Sequence, residues 1–108
     1  MDTEVKEITA EEARQELDGK RAAFFDIRDE ESYNEAHIPG AAHLTDSNIE
    51  ELLATADKNR LTIVYCYHGN SSFGAAAFFM EKGFANVRSL SGGFEKWRVV
   101  QSSVISSK

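Results

Sequence analysis

An α/β domain with a mostly parallel central sheet and helices on both faces is the fold this sequence predicts. Short apolar runs alternate with capped helical stretches along the chain, and those runs are nearly continuous rather than interrupted by polar residues, as strands covered on both faces require. A length of 108 residues is enough for one hydrophobic core and too little for two.

The elements follow in order. Thr9 and Glu12 form a capping box, Ala10, Ala13 and Leu17 fall at helical spacing, and Gly19 ends the first helix. Ala22-Ala23-Phe24-Phe25-Asp26-Ile27 reads as a buried strand. Asp29 caps a short acidic helix through Glu35, Pro39-Gly40 turns the chain, and residues 41–44 resume extended structure. Ser47 and Glu50 make a second capping box, and the stripe Ile49, Leu52, Leu53 and Ala56 predicts a helix over 48–56, followed by a polar turn at 57–60. Leu61-Thr62-Ile63-Val64-Tyr65, rich in β-branched residues, is the strongest strand and delivers Cys66 at its carboxyl end. A loop over 67–71 leads into an Ala-rich helix over 72–82 that stops at Gly83. Residues 87–90 make a last strand, Gly92-Gly93 turns into a short helix carrying Phe94 and Trp97, and the tail from Ser102 is polar and expected to fray. Without an internal repeat, linker or low-complexity stretch, residues 1–108 read as one domain with its core at about 5–100.

Composition excludes several functions. Acidic side chains number 18 against 12 basic ones, for a net charge of −6, and Lys and Arg are nowhere clustered, so nucleic acid is not an expected partner. The longest apolar run, from Gly74 to Met80, is far short of the roughly 20 residues a membrane-spanning helix needs. Residues 1–6 begin acidic and hold no apolar core of the kind a secretory signal needs, so the cytoplasm is the expected compartment. Cys66 is the one cysteine, which rules out an internal disulfide and a resolving cysteine within these residues. Any reaction through Cys66 therefore finishes on an outside partner.

The loop after Cys66 carries the chemistry. A thiolate attacks, whereas a free thiol with a pKa of about 8.5 is mostly protonated at neutral pH, so something must hold the negative charge. Backbone N–H groups of Tyr67, His68, Gly69, Asn70 and Ser71 can curl around the sulfur, the helix beginning near Ser72 presents its positive end, and Gly69 permits the necessary backbone angles. The hydroxyls of Ser71 and Ser72 and the amide of Asn70 are candidate donors to the sulfur or to an anionic substrate. A core cysteine at the end of a central strand is the plainer reading of Cys66, and the attached loop outweighs it.

Other residues read as framework. His68 can either donate to an anion or stand in solvent. His37 and His43 lack the partners of a metal site, and no metal or cofactor is expected. Asp26 and Arg28 after a strand end could line the pocket, and a structural salt bridge or a capping role is the plainer reading. Phe94, Trp97, Phe73, Phe78 and Phe79 read as packing residues, and Asp29, Glu30 and Glu31 as a solvated helix start favoured by the dipole.

Four stretches taken together resemble the single-domain rhodaneses: Asp26-Ile27-Arg28, His37-Ile38-Pro39-Gly40-Ala41, Cys66-Tyr67-His68-Gly69-Asn70-Ser71-Ser72 and Gly92-Gly93-Phe94-Glu95-Lys96-Trp97. The resemblance implies a parallel five-stranded α/β domain. It also implies that Cys66 takes the outer sulfur of thiosulfate, releases sulfite and holds the sulfur as a persulfide, which cyanide, a dithiol such as a thioredoxin-like protein, or another thiol removes. Under it, Tyr67 through Ser72 serve as donors to the persulfide. Two departures stand out: Ala36 precedes His37 where the family often has Gly, and the loop holds no Lys or Arg. An acidic protein without a basic loop is expected to bind the thiosulfate dianion weakly.

Two other classes compete. Cysteine phosphatases and arsenate reductases place an Arg six residues after the nucleophile, and Ser72 stands there instead, removing the charge and the bidentate fork. A sulfur-carrier or regulatory binding module is the other, and the presence of Cys66 argues against a module that has lost its nucleophile.

Overall fold

The computed structural model describes residues 4–101 and 105. Five strands and five helices follow one another as β1 (Lys6–Ile8), α1 (Ala10–Asp18), β2 (Ala22–Asp26), α2 (Glu30–Glu35), β3 (Ala42–His43), α3 (Ile49–Thr55), β4 (Leu61–Tyr65), α4 (Ser71–Glu81), β5 (Val87–Leu90) and α5 (Gly93–Val100). The strands form one sheet in the order β1-β5-β4-β2-β3. Every ladder in it is parallel.

Alternation along the strands divides the core in two. Phe24, Ile63, Tyr65 and Leu90 pack with Ala10, Ala13, Phe94 and Trp97, which covers one face with α1 and α5. Phe25, Val64 and Val87 point the other way and pack with Leu53, Ala76 and Phe79 under α3 and α4. Both faces of the central strands are therefore buried, which is why their sequences show no polar alternation. Trp97, Phe94 and Phe79 are completely buried, and truncating one of these rings to alanine is a loss of about 3–5 kcal/mol.

Local signals account for most boundaries. The Thr9 hydroxyl accepts from the Glu12 amide and the Glu12 carboxylate from the Thr9 amide, each at 3.1 Å, completing the expected capping box. The Asp29 carboxylate caps α2 through the Ser32 amide at 3.0 Å.

Two expectations are corrected. Ser47 does not cap α3; its hydroxyl lies 3.0 Å from that of Thr45, and the cap position falls to Asn48. The Asn48 side chain is committed elsewhere, accepting from the Thr45 amide and donating to the His43 carbonyl, both at 2.8 Å, so it closes the loop after β3 instead of the helix. Phe73 is 37% exposed rather than packed. Strand β1 has no counterpart in the residue-by-residue reading: it is a three-residue edge strand with only Ile8 buried, too short and too polar to show a period. The fraying expected from Ser102 onward falls on residues outside the described set, apart from Ile105, which is partly buried against the core. Among the described residues, no helix is long and apolar enough to cross a membrane.

Candidate active site

Cys66 directly follows β4, the middle strand of the sheet, at the carboxyl end where sites of parallel α/β domains gather. The residue is 5% exposed, while Tyr67, His68, Asn70 and Ser71 around it are open to solvent. Its sulfur accepts from the amides of Gly69 at 3.2 Å and Ser72 at 3.3 Å. The Ser72 hydroxyl lies 3.5 Å away. Burial pushes the thiol up, but the Ser72 hydroxyl and the amides of Ser72, Gly69 and His68 outweigh it and hold Cys66 below its ordinary value. These donors are neutral hydrogen-bonding groups, and they favour the thiolate because only the anion accepts strongly from all of them.

The loop takes this shape because α5 grips its carbonyls. Phe94 N–H donates to the Cys66 carbonyl at 2.8 Å and Glu95 N–H to the Tyr67 carbonyl at 3.0 Å. In a trans peptide the C=O and N–H point in opposite directions, so fixing the Tyr67 carbonyl on α5 turns the His68 N–H away from α5 and toward the sulfur. So close an approach needs glycine: a Cβ on Gly93, whose φ is +61°, would sit 2.5 Å from the Tyr67 carbonyl carbon and oxygen and 2.7 Å from the Cys66 oxygen. Gly69, at φ +96°, faces it from the loop, where a Cβ would come 3.1 Å from the Gly92 nitrogen.

The opposite rim is tied to α2. The Tyr67 hydroxyl lies 2.8 Å from the Ser32 hydroxyl, which is itself 2.9 Å from the Asp29 carboxylate. Those same Ser32 bonds hold the Asp29 carboxyl below its usual range. Beneath the rim, Arg28 makes a buried ion pair with Asp26 at 2.7 Å, donates to the Ala36 carbonyl at 2.6 Å, and stacks its guanidinium 4.2 Å from the centre of the Phe94 ring. Burial lowers the Arg28 pKa and Asp26 raises it, and the net displacement is upward. Arg28 and Asp26 are framework under the loop, with no open route to solvent for either charge.

His37 and His43 are also built into the scaffold, stacked on either side of the Tyr33 ring at 3.9 and 4.8 Å. The nitrogens of their rings face the Tyr33 and Arg28 carbonyls at 2.7 and 2.6 Å. Of the loop residues singled out in the sequence, Gly69 and Ser72 bond the sulfur directly and His68 contributes its amide, while Tyr67 reaches back to Ser32. Asn70 and Ser71 are exposed where α4 begins, with the Asn70 carbonyl accepting from Phe73 N–H at 3.2 Å. Two residues absent from the sequence reading of the site belong to it: Gly93, noted there in a turn and within one of the four resembling stretches, and Ser89, which follows Arg88 in a four-residue strand. Only the adjacent glycine pair hinted at the first, and nothing local marked the second.

The Rhodanese-like domain family model matches residues 9–99. The thiosulfate sulfurtransferase GlpE of Pseudomonas fluorescens (strain SBW25) is 46% identical over 105 residues, covering 97% of this chain and 95% of the relative. The protein of the same name in Pseudomonas paraeruginosa (strain DSM 24068 / PA7) is 45% identical over 100 residues, covering 93% and 90%. Among solved structures, the BH2092 protein from Bacillus halodurans is 28% identical with a TM-score of 0.79, over 94% of this chain and 77% of that one. The Alr3790 protein from Anabaena sp., at 22% identity and a TM-score of 0.82 over 93% and 91%, shares the fold. With its cysteine loop at the sheet's carboxyl edge and a family match across nearly all of its length, this chain belongs to the rhodanese-like domain family.

Proposed function

We propose that this protein is a thiosulfate sulfurtransferase that carries sulfur as a persulfide on Cys66. The observation that supports it most is the Cys66 sulfur held by the Gly69 and Ser72 amides and faced by the Ser72 hydroxyl, a set of neutral donors suited to a singly charged sulfur. Relatives 46% and 45% identical bear the name thiosulfate sulfurtransferase. The Cys66 thiolate attacks the outer sulfur of thiosulfate, the S–S bond of the donor breaks, and sulfite leaves with the bonding pair. The persulfide anion then occupies the ring of amides from Tyr67 to Ser72. Cyanide attacks its terminal sulfur, giving thiocyanate and returning Cys66 as the thiolate; a thiol acceptor does the same and becomes the persulfide itself.

With no second cysteine in the sequence, a dithiol protein of the thioredoxin kind is a fitting natural acceptor, because its own second thiol can release the sulfur as sulfide and leave a disulfide. A reducing compartment, the cytoplasm, suits a lone reactive thiol. Phosphatase chemistry fits poorly. The position where an Arg would clamp a phosphate dianion holds Ser72, which is buried against Ser89.

The test is direct. Incubation with thiosulfate adds the mass of one sulfur atom to the protein, located on Cys66, and cyanide then yields thiocyanate; Cys66→Ser does neither. Sulfur found elsewhere, or thiocyanate formed by Cys66→Ser, overturns the reading, and turnover of an aryl phosphate by the unaltered protein would bring the phosphatase back.

A further inference from the structure

Behind Cys66 the hydrogen bonding continues past Ser72. The Ser72 hydroxyl lies 2.7 Å from the hydroxyl of Ser89, and both residues are completely buried. Ser89 stands on β5, paired with Val64 of β4 and Glu7 of β1, on the same sheet face as Val87, which packs under α4. Ser72 lies in the first turn of α4, so strand and helix bring the two hydroxyls together directly behind the sulfur. A serine in the middle of a core strand replaces apolar contact with a hydroxyl that must find a partner, and the partner found here is the Ser72 hydroxyl that faces Cys66.

A hydroxyl has a single hydrogen. Ser72 can aim it at Ser89 or at Cys66, and the choice depends on what Ser89 does with its own. A thiolate only accepts, so beside it Ser72 must donate to the sulfur and its oxygen is free to accept from Ser89. A neutral thiol is a weak partner in either direction, so the arrangement matters most for the anion.

We infer that Ser89 is a positioning residue for the sulfur-transfer reaction: by donating its hydroxyl hydrogen to Ser72 it turns the hydrogen of Ser72 onto the Cys66 sulfur. Successive hydroxyl bonds running one way polarise each other, which strengthens the last of them, the one that reaches the charge. The other influences on the sulfur come from burial and from the amides of Ser72, Gly69 and His68. On the β2 side, Asp26 and Arg28 are paired with each other, and the His68 ring is exposed at the mouth. This inference rests on the sulfurtransferase reading for its catalytic meaning but not for its test, which needs no sulfur donor.

The experiment measures alkylation of Cys66 by iodoacetamide against pH in the unaltered protein, Ser89→Ala, Ser72→Ala and the double variant, with melting temperatures to establish that each is folded. Ser89→Ala is expected to react about threefold more slowly below the thiol midpoint and equally fast well above it, as the loss of one hydrogen bond's orienting effect predicts. Added to Ser72→Ala, it is expected to do nothing further, because its influence passes through Ser72. With thiosulfate, kcat/KM is expected to fall by the same factor at low pH. Three results overturn the inference: an alkylation profile unchanged in Ser89→Ala, slowing by one factor at every pH, or equal slowing with and without Ser72. If alkylation behaves as expected but thiosulfate leaves no sulfur on Cys66, the positioning role stands and the sulfurtransferase reading fails.

Discussion

The amide of Phe94 donates to the carbonyl of Cys66 over 2.8 Å, so the first turn of α5 is fastened to the residue that carries the sulfur. Cys66 and Phe94 lie far apart in the chain, and the bond makes the last helix part of the support of Cys66.

Gly93 is the residue that allows this approach, and Gly93→Ala is expected to destabilise the fold by about 3 kcal/mol, combining a left-handed backbone with overpacking against Tyr67. Cys66 reactivity falls with it, since the carbonyls can no longer be gripped. Gly74 offers the opposite sign. It lies inside α4 with open space around it, so Gly74→Ala is expected to stabilise by about 0.5–1 kcal/mol. Urea unfolding of both variants checks the pair, and equal effects would refute the argument.

Removing one partner of the buried Asp26–Arg28 pair leaves an uncompensated charge beneath the loop. Arg28→Ala is expected to cost about 3–5 kcal/mol by denaturant titration. Arg28→Lys is expected to recover little, because an ammonium cannot reach both carboxylate oxygens and the Ala36 carbonyl while lying flat on Phe94.

The lowered pKa of Cys66 has consequences for both rate and stability. Alkylation should rise with the thiolate fraction through a midpoint below that of a free thiol in the same buffer. A group that is more acidic when folded stabilises the fold fully above its unfolded pKa and loses that contribution as pH falls through its folded pKa. The stability of the unaltered protein relative to Cys66→Ser should therefore be greater at about pH 9.5 than at about pH 6. A difference that shrinks as pH rises would mean the thiol is not held as the anion.

Thiosulfate is a dianion and the protein carries a net charge of −6, so long-range repulsion opposes the encounter and local attraction is left to the loop amides. Raising ionic strength from about 0.01 to 0.15 M should increase kcat/KM for thiosulfate about twofold by screening that repulsion. Saturation at low micromolar donor, or a rate that falls with salt, would show that a favourable local field prevails.

By itself the sequence determined what depends on neighbours along the chain. Helix starts at Thr9 and Asp29, the strands at 61–65 and 87–90, and the placement of Cys66 between a strand and a helix all rest on caps and apolar runs only a few residues long. Strand β1 escaped because three residues with one buried side chain carry no period. The capping box at Ser47 failed because Asn48, drawn to Thr45 and His43, took the cap position without capping. Tertiary structure alone decided that Ser89 meets Ser72 across 17 residues, and that Gly93 lies against Tyr67 closely enough for α5 to aim the loop. Such contacts depend on which strands are neighbours and in what register they pair, and hydrogen bonds between distant segments exist only once that register has been set by packing both faces of the sheet.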